Sequence, residues 1–169
     1  FHCWKKKGGH GRINLMDAIA QSCDVYFWEV ARKLGIEKIG LTAKSLGLGT
    51  KFDLPLSSIT KGLIPSKEWK RKKFDQNWRV GDTLNAAVGQ GFTLASPLQL
   101  VVMTSRIASG KAVEPQLVKA ISGKNRIQVN FPELKYRKES LAIIRDGMFS
   151  SVNNSKGTAF KSRIEDESQ

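Results

Sequence analysis

The stretch from Asn14 to Leu34, NLMDAIAQSCDVYFWEVARKL, constrains the fold of this chain more than any other. Leu15 and Ile19 repeat at i, i+4, as do Met16 and Ala20. Further on, Phe27, Val30, Ala31 and Leu34 repeat at i, i+3, i+4, i+7. Both patterns predict a helix. Between them the polar tripeptide Ser22-Cys23-Asp24 breaks the periodicity. Two short amphipathic helices can hold such a junction rigidly while their apolar faces enter a core. Ser22 is the expected N-cap of the second helix, with Asp24 in its electropositive first turn. By residue type alone, the junction is either a cap or a site.

The chain has 169 residues, enough for one domain with its own core. Its hydrophobic fraction of 40% argues against disorder. No apolar run approaches the roughly 18 residues that a membrane span needs, and no signal-peptide pattern is present. The chain starts at Phe1, so the expectation is a piece of a longer protein whose targeting segment lies upstream.

Basic residues number 28 against 15 acidic, a net charge of +13. That balance favours anionic partners, whether nucleic acid, anionic lipid or an anionic polymer, and says little about fold. The densest run, KEWKRKK from Lys67 to Lys73, reads as a solvated surface helix. The two cysteines, Cys3 and Cys23, are too few for a disulfide scaffold. Without paired histidines they make no zinc pattern, and no metal site is expected. In an oxidising compartment they could form one bridge, stabilising by about 3 kcal/mol. Two small buried hydrophobes is the other reading.

Along the chain, Phe1 to Trp4 reads as the end of a strand, and Lys5 to Gly11 as a glycine-rich loop in which His10 is structural. Asn14 and Asp17 form a capping pair. Ile36, Ile39, Ala43 and Leu46 give another helical face, stopped by Gly47 and Gly49. Ser66 caps a short helix carrying Trp69, and Phe74 to Asp82 is expected to be a polar loop. Thr83 to Val88 is a short, mostly apolar run before Gly89-Gln90-Gly91. Ser96-Pro97 starts the clearest helix, with Leu98, Val101, Val102 and Ser105 on its expected inner face and Gly110 at its end. Gln116 to Ser122 and Arg126 to Phe131 predict a hairpin around Gly-Lys-Asn. Leu141, Ile144, Met148 and Val152 mark a last helix.

The string GHGRINLMDAIAQSCDVYFWEVARKLGI resembles the second active-site motif, S-x-N, of penicillin-binding transpeptidases. It is most similar to class B enzymes of the penicillin-binding protein 2 type, where the third position can be Asp. GLGTKFDLP (Gly47 to Pro55), Ile64 to Gln90 and GFTLASPLQ (Gly91 to Gln99) resemble the same family in the same order. The resemblance implies an α+β fold of the penicillin-binding transpeptidase and serine β-lactamase type. This chain would be a mostly helical part of it, with sheet-edge strands only. It also implies a serine acyl-enzyme mechanism on D-Ala-D-Ala stem peptides, with β-lactams as inhibitors and no cofactor. In that scheme Ser22 relays a proton to or from the leaving amine, and Asp24 stands where Asn usually contacts substrate and lysine. Gln90 and Gly91 would lie near the floor of the site, Gln90 more as packing than as a hydrogen-bonding support. The implied location is the periplasmic face of a bacterial inner membrane, beside cell-wall elongation partners and without nucleic acid.

Two decoys need separating from the family's other motifs. Ser58-Ile59-Thr60-Lys61 has the letters of S-x-x-K, but it follows the S-x-D motif and lies among Pro and Gly. Lys156-Gly157-Thr158 has the letters of K-T-G in another order and resembles instead the G-T-A stretch that precedes that motif. No K-[ST]-G occurs in the chain. The chain is therefore expected to lie between the nucleophile and the third motif, to carry no nucleophile, and to be inactive alone. It is also expected to self-associate through apolar surface that a central sheet would cover. A competing reading is a basic binding module for nucleic acid or an anionic surface, using Trp4, Trp69 and Trp78 beside the positive charges.

Overall fold

A computed structural model of the chain describes residues 2–118, 120–122, 124–125 and 129–164. Seven α-helices dominate it: α1 (Leu15–Ala20), α2 (Asp24–Leu34), α3 (Ile36–Ser45), α4 (Lys67–Phe74), α5 (Val80–Ala87), α6 (Pro97–Ser109) and α7 (Lys138–Asn153). A 3₁₀ turn follows at Phe160–Ser162. Among the described residues the only sheet pairs β1 (Ala120–Ile121) antiparallel with β2 (Lys124–Asn125), Ala120 opposite Asn125. The hairpin is thus tighter than its pattern predicts, because Lys124 and Asn125 join a strand instead of a turn. Val129 is exposed and outside any strand. Arg126 to Gln128 lie outside the described residues.

Local side chains cap three of the helices. The Asn14 Oδ1 accepts the Asp17 N–H at 2.8 Å, the Ser66 Oγ accepts the Trp69 N–H at 3.1 Å, and the Ser96 Oγ accepts the Gln99 N–H at 3.3 Å. Each satisfies an N–H that a helix leaves without an internal partner. Gly110, at φ +70°, ends α6 in the left-handed conformation glycine adopts without strain.

The helix α5 begins inside the expected loop. Asp82 Oδ2 accepts the Arg79 N–H at 2.7 Å and also the Lys70 ammonium at 2.6 Å. The basic run is therefore not wholly solvated. Lys67, Arg71, Lys72 and Lys73 are exposed, but Lys70 is 5% exposed and turns inward onto α5. Its ammonium also lies 5.8 Å from the centre of the Phe92 ring, which packs with Trp69 and Phe74 in an aromatic cluster with ring centroids 5.2 to 5.6 Å apart.

The inner face of α6 also differs from its hydrophobic pattern. Gln99, Val102, Arg106 and Ile107 are buried, whereas Val101 is 62% exposed and Ser105 faces out. Gln99 goes inward because its Nε2 donates to the Thr50 and Lys61 carbonyls, both at 2.8 Å. Arg106 donates to the Ser45 and Val113 carbonyls at 2.9 and 3.0 Å. These side chains satisfy backbone carbonyls at the end of α3 and in the loops around α6, which apolar residues cannot do.

The closest helix pair is α1 on α7. A Cβ at Gly147 would stand 2.9 Å from the Cβ of Ile19, so only glycine lets the helices meet at this distance. Gly147→Ala is expected to cost about 1–3 kcal/mol by overpacking, read as a lower urea midpoint. An unchanged midpoint would mean that Ile19 yields. The packing of α7 on α1 brings the segment after α7 back to the Ser22 junction.

Candidate active site

Cys3, Ala18 and Cys23 are buried in one small cluster, with Ile13, Tyr26 and Phe27 packed against it. His2 to Trp4 form no strand; Phe1 lies outside the described residues. Burying the cysteines holds the first segment against the turn between α1 and α2, and this is what shapes the junction.

Ser22 is not the cap of α2. Cys23 is the N-cap, with extended backbone and no side-chain capping bond. Ser22 sits one residue earlier at φ +51°, a left-handed conformation that costs a non-glycine residue roughly 1–2 kcal/mol. Several contacts hold it there. The Trp4 indole N–H reaches the carbonyls of Gln21 and Ser22 at 3.1 and 3.0 Å. The Ser22 N–H donates to Ile19 at 3.2 Å, and Cys23 donates to Ala18 at 2.9 Å. The outcome is an exposed Ser22 hydroxyl 2.9 Å from the Thr158 hydroxyl.

Asp24 occupies the first turn of α2, as its position predicts. Its Oδ2 accepts the Trp4 backbone N–H at 3.3 Å. A cleft of about 300 Å³ opens here, lined by Ile19, Ser22, Asp24, Phe27, Ala87 and Val88. The last two residues bring the end of α5 to the junction. Gln90 and Gly91 follow two residues later on an exposed turn, where the Gln90 N–H donates to Asn85 at 2.9 Å. Gln90 is exposed, so the expected packing role does not apply to its side chain. The backbone does the turning, with Gly89 and Gly91 both at φ above +70°. Ser58 lies exposed on an irregular turn, not at the start of a helix.

The cysteines are free thiols in this structure, and they have company that the sequence spacing hides. Cys3 Sγ lies 3.4 Å from His10 Nδ1. The donor atoms of Cys3, His10 and Cys23 all fall within 4.8 Å of one another. The sequence spacing predicts no metal site, and the structure adds one observation to that: the loop from Lys5 to Gly11 folds His10 onto the cysteine pair. His10 Nε2 is buried without a hydrogen-bond partner, and the Trp4 ring meets the imidazole edge-on at 5.4 Å. Two sulfurs and an imidazole are the donor set of a thiophilic divalent ion such as zinc, which would leave a fourth position open. Burial foremost, helped by the neighbouring Cys3, pushes the Cys23 thiol above its usual pKa although the Tyr26 N–H opposes it. Metal binding there would release a proton. Zinc at 100 times its dissociation constant is expected to stabilise the reduced protein by about 2.7 kcal/mol. A zinc-independent Tm, or an equal rise in His10→Ala, would rule the arrangement out as a metal site.

The sequence profile of the penicillin-binding protein transpeptidase domain matches residues 1–167 of this chain. The chain belongs to that family. It is 34% identical over 95% of its length to the peptidoglycan D,D-transpeptidase MrdA of Haemophilus influenzae. It is 33% identical over 97% of its length to MrdA of Acinetobacter baumannii. It spans 26% and 25% of those proteins, about a quarter of the length of the curated relatives it matches. Among solved structures, the complex of penicillin-binding protein PBP2 with MreC from Helicobacter pylori superposes with a TM-score of 0.85. That match has 39% identity and covers 99% of this chain and 31% of the other. PBP2 of Pseudomonas aeruginosa in complex with WCK 5153 gives a TM-score of 0.84 at 35% identity, covering 95% of this chain and 36% of the other. Helix-rich, with one short hairpin among the described residues, the chain has a partial, mostly helical version of the penicillin-binding transpeptidase fold.

Three site contributors were missed in the sequence. Trp4 is 18 residues from Ser22, and Thr158 is 136 residues away. His10 was assigned to the loop without its cysteine partners. The G-T-A letters around Thr158 are the one signal the sequence offers, and they mark a neighbour of a motif, not a contact.

Proposed function

We propose that this chain supplies the S-x-D part of the active site of a peptidoglycan D,D-transpeptidase. The nucleophilic serine and the K-[ST]-G lysine come from residues outside these 169. The observation that carries the reading is the Ser22 hydroxyl, exposed at a cleft, with a strained backbone and contacts from two distant segments, at Trp4 and Thr158. Strain that the surroundings hold in place is characteristic of functional positions.

The reaction this implies is acyl transfer. The nucleophilic serine attacks the carbonyl of D-Ala-D-Ala, expels D-alanine and leaves an acyl-enzyme. The amine of a second stem peptide then attacks that ester and restores the serine, forming the crosslink. A β-lactam acylates the same serine. Ser22 passes a proton to or from the amine nitrogen, which needs a group that both donates and accepts. Asp24, as a carboxylate, favours a lysine held as a cation more strongly than an amide does. Stem peptides are the substrates. A MreC-type scaffold and a polymerising synthase are the expected elongation partners, by analogy with relatives solved in such complexes. The site works on the periplasmic face of the inner membrane. No described helix is long and apolar enough to cross it.

The test is labelling with a fluorescent penicillin, read by intact mass. Folded isolated chain is expected to take no label, and the complete transpeptidase domain that contains it to take one. An adduct on the isolated chain would put a nucleophile within these residues, with Ser58 the suspect, and would overturn this reading.

A further inference from the structure

We propose that Thr158 is a positioning residue for Ser22, fixing where the Ser22 hydroxyl points through the hydrogen bond between their side chains. This rests on the proposed role of Ser22 and goes beyond it.

The hydroxyl pair is separated by 2.9 Å. Thr158 is not there by the accident of a loose tail, because backbone bonds fix it from both sides. Its N–H donates to the Ala20 carbonyl at 3.0 Å, at the end of α1 and two residues before Ser22. The next residue, Ala159, donates to Ser151 at 3.0 Å, and the preceding Gly157 donates to Asn154 at 2.8 Å. Gly157 lies so close to α7 that an added Cβ would stand 2.2 Å from the Ser151 carbonyl oxygen and 2.6 Å from that of Ser150. Only glycine fits, and this close approach brings the next side chain down onto the junction. The K-G-T string is therefore a device for delivering one hydroxyl to another.

Serine rotates freely about its Cβ–Oγ bond, so an exposed Ser22 would otherwise sample several hydroxyl directions. Thr158 removes that freedom. Being a hydroxyl, it can donate to Ser22 or accept from it. When it donates, the Ser22 proton is left free for the cleft. When it accepts, a lone pair of Ser22 is left free. Both states of a proton relay are held at one oxygen position, and no proton leaves Thr158 in either. Being β-branched, Thr158 is stiff at χ1, which a serine in its place would not be.

The experiment uses the complete transpeptidase domain containing this chain, with Thr158→Val, Thr158→Ser and Ser22→Ala. The readouts are the second-order rate of penicillin acylation and the Tm. Thr158→Val keeps the shape and removes the hydroxyl. It is expected to lower the rate about 10- to 100-fold, the scale of a small misplacement of a reacting group. Thr158→Ser is expected to recover most of the loss, and Thr158→Val to add little in a Ser22→Ala background. Equal rates for the valine and serine variants would overturn the proposal, because the methyl or the backbone would then be what matters. A fall in Ser22→Ala without a fall in Thr158→Val would overturn it while leaving the function reading intact. Wild type and Ser22→Ala reacting alike would remove Ser22 from the mechanism, and Thr158 with it.

Discussion

Ser22→Ala in the complete transpeptidase domain is expected to lower penicillin acylation by about 10²- to 10⁴-fold, the usual contribution of a positioned acid–base group. The fold should survive the change. Ser22 is exposed, and its side-chain bond to Thr158 is exposed too, so its loss costs about 1 kcal/mol. The backbone at φ +51° is as strained for alanine as for serine, so this term cancels between the two proteins. A large kinetic loss with a small change in Tm therefore separates chemistry from structure. Unchanged acylation would make the junction a helix connection and nothing more.

What could be read from the sequence was what is decided locally. Asn14, Ser66, Ser96-Pro97 and Gly110 act within one helical turn of themselves, and each stops or starts a helix where its chemistry predicts. The helix at Val80–Ala87 escaped because its cap is not a Ser or Asn at the first position. It is a carboxylate at Asp82 that reaches back to Arg79 and is also committed to a lysine in another helix. The inner face of α6 escaped because Gln99 and Arg106 are buried and bond backbone carbonyls far away in sequence, at Thr50 and at Ser45, a demand that no apolar periodicity records. Ser22 has an N-cap's residue type and was assigned that role, but its left-handed backbone moves the cap to Cys23.

The site was legible only as far as its contiguous tripeptide. Trp4 and Thr158 reach it through tertiary packing, the latter delivered by Gly147 against Ile19 and Gly157 against α7. Such glycines look like ordinary breakers until the neighbouring backbone is in view. The tryptophans that suggested a nucleic-acid surface have internal duties. Trp69 packs on Phe74 and Phe92, Trp78 donates to Thr83 at 2.8 Å, and Trp4 bonds the junction. Charge alone remains for that reading, and charge suits many anionic partners.

Asp82→Asn is expected to destabilise the chain by about 3 kcal/mol, because it breaks a buried ion pair. The side chain of Lys70 is 6% exposed, and its ammonium lies 2.6 Å from Asp82 Oδ2. An amide in place of the carboxylate leaves a buried cation without its counter-charge, over a Phe92 ring 5.8 Å away that compensates only weakly. The start of α5 also loses its charged partner for the Arg79 N–H. Acid should reproduce the effect. Burial pushes the Asp82 carboxyl up, but the Lys70 ammonium and the Arg79 N–H outweigh it and hold the pKa below the usual carboxylate value. A lowered folded pKa means stability that is present above the unfolded value of about 3.9 and lost as pH falls through the folded one. Urea midpoints measured from pH 7 downward should therefore drop for wild type below about pH 4 and drop less for Asp82→Asn. Lys70→Met in the Asp82→Asn background should recover much of the lost stability, because the side chain left behind is apolar at a buried position beside Phe92. If the single Asn variant matches wild type at neutral pH, Lys70 has reached solvent and the inward turn of the basic helix is wrong.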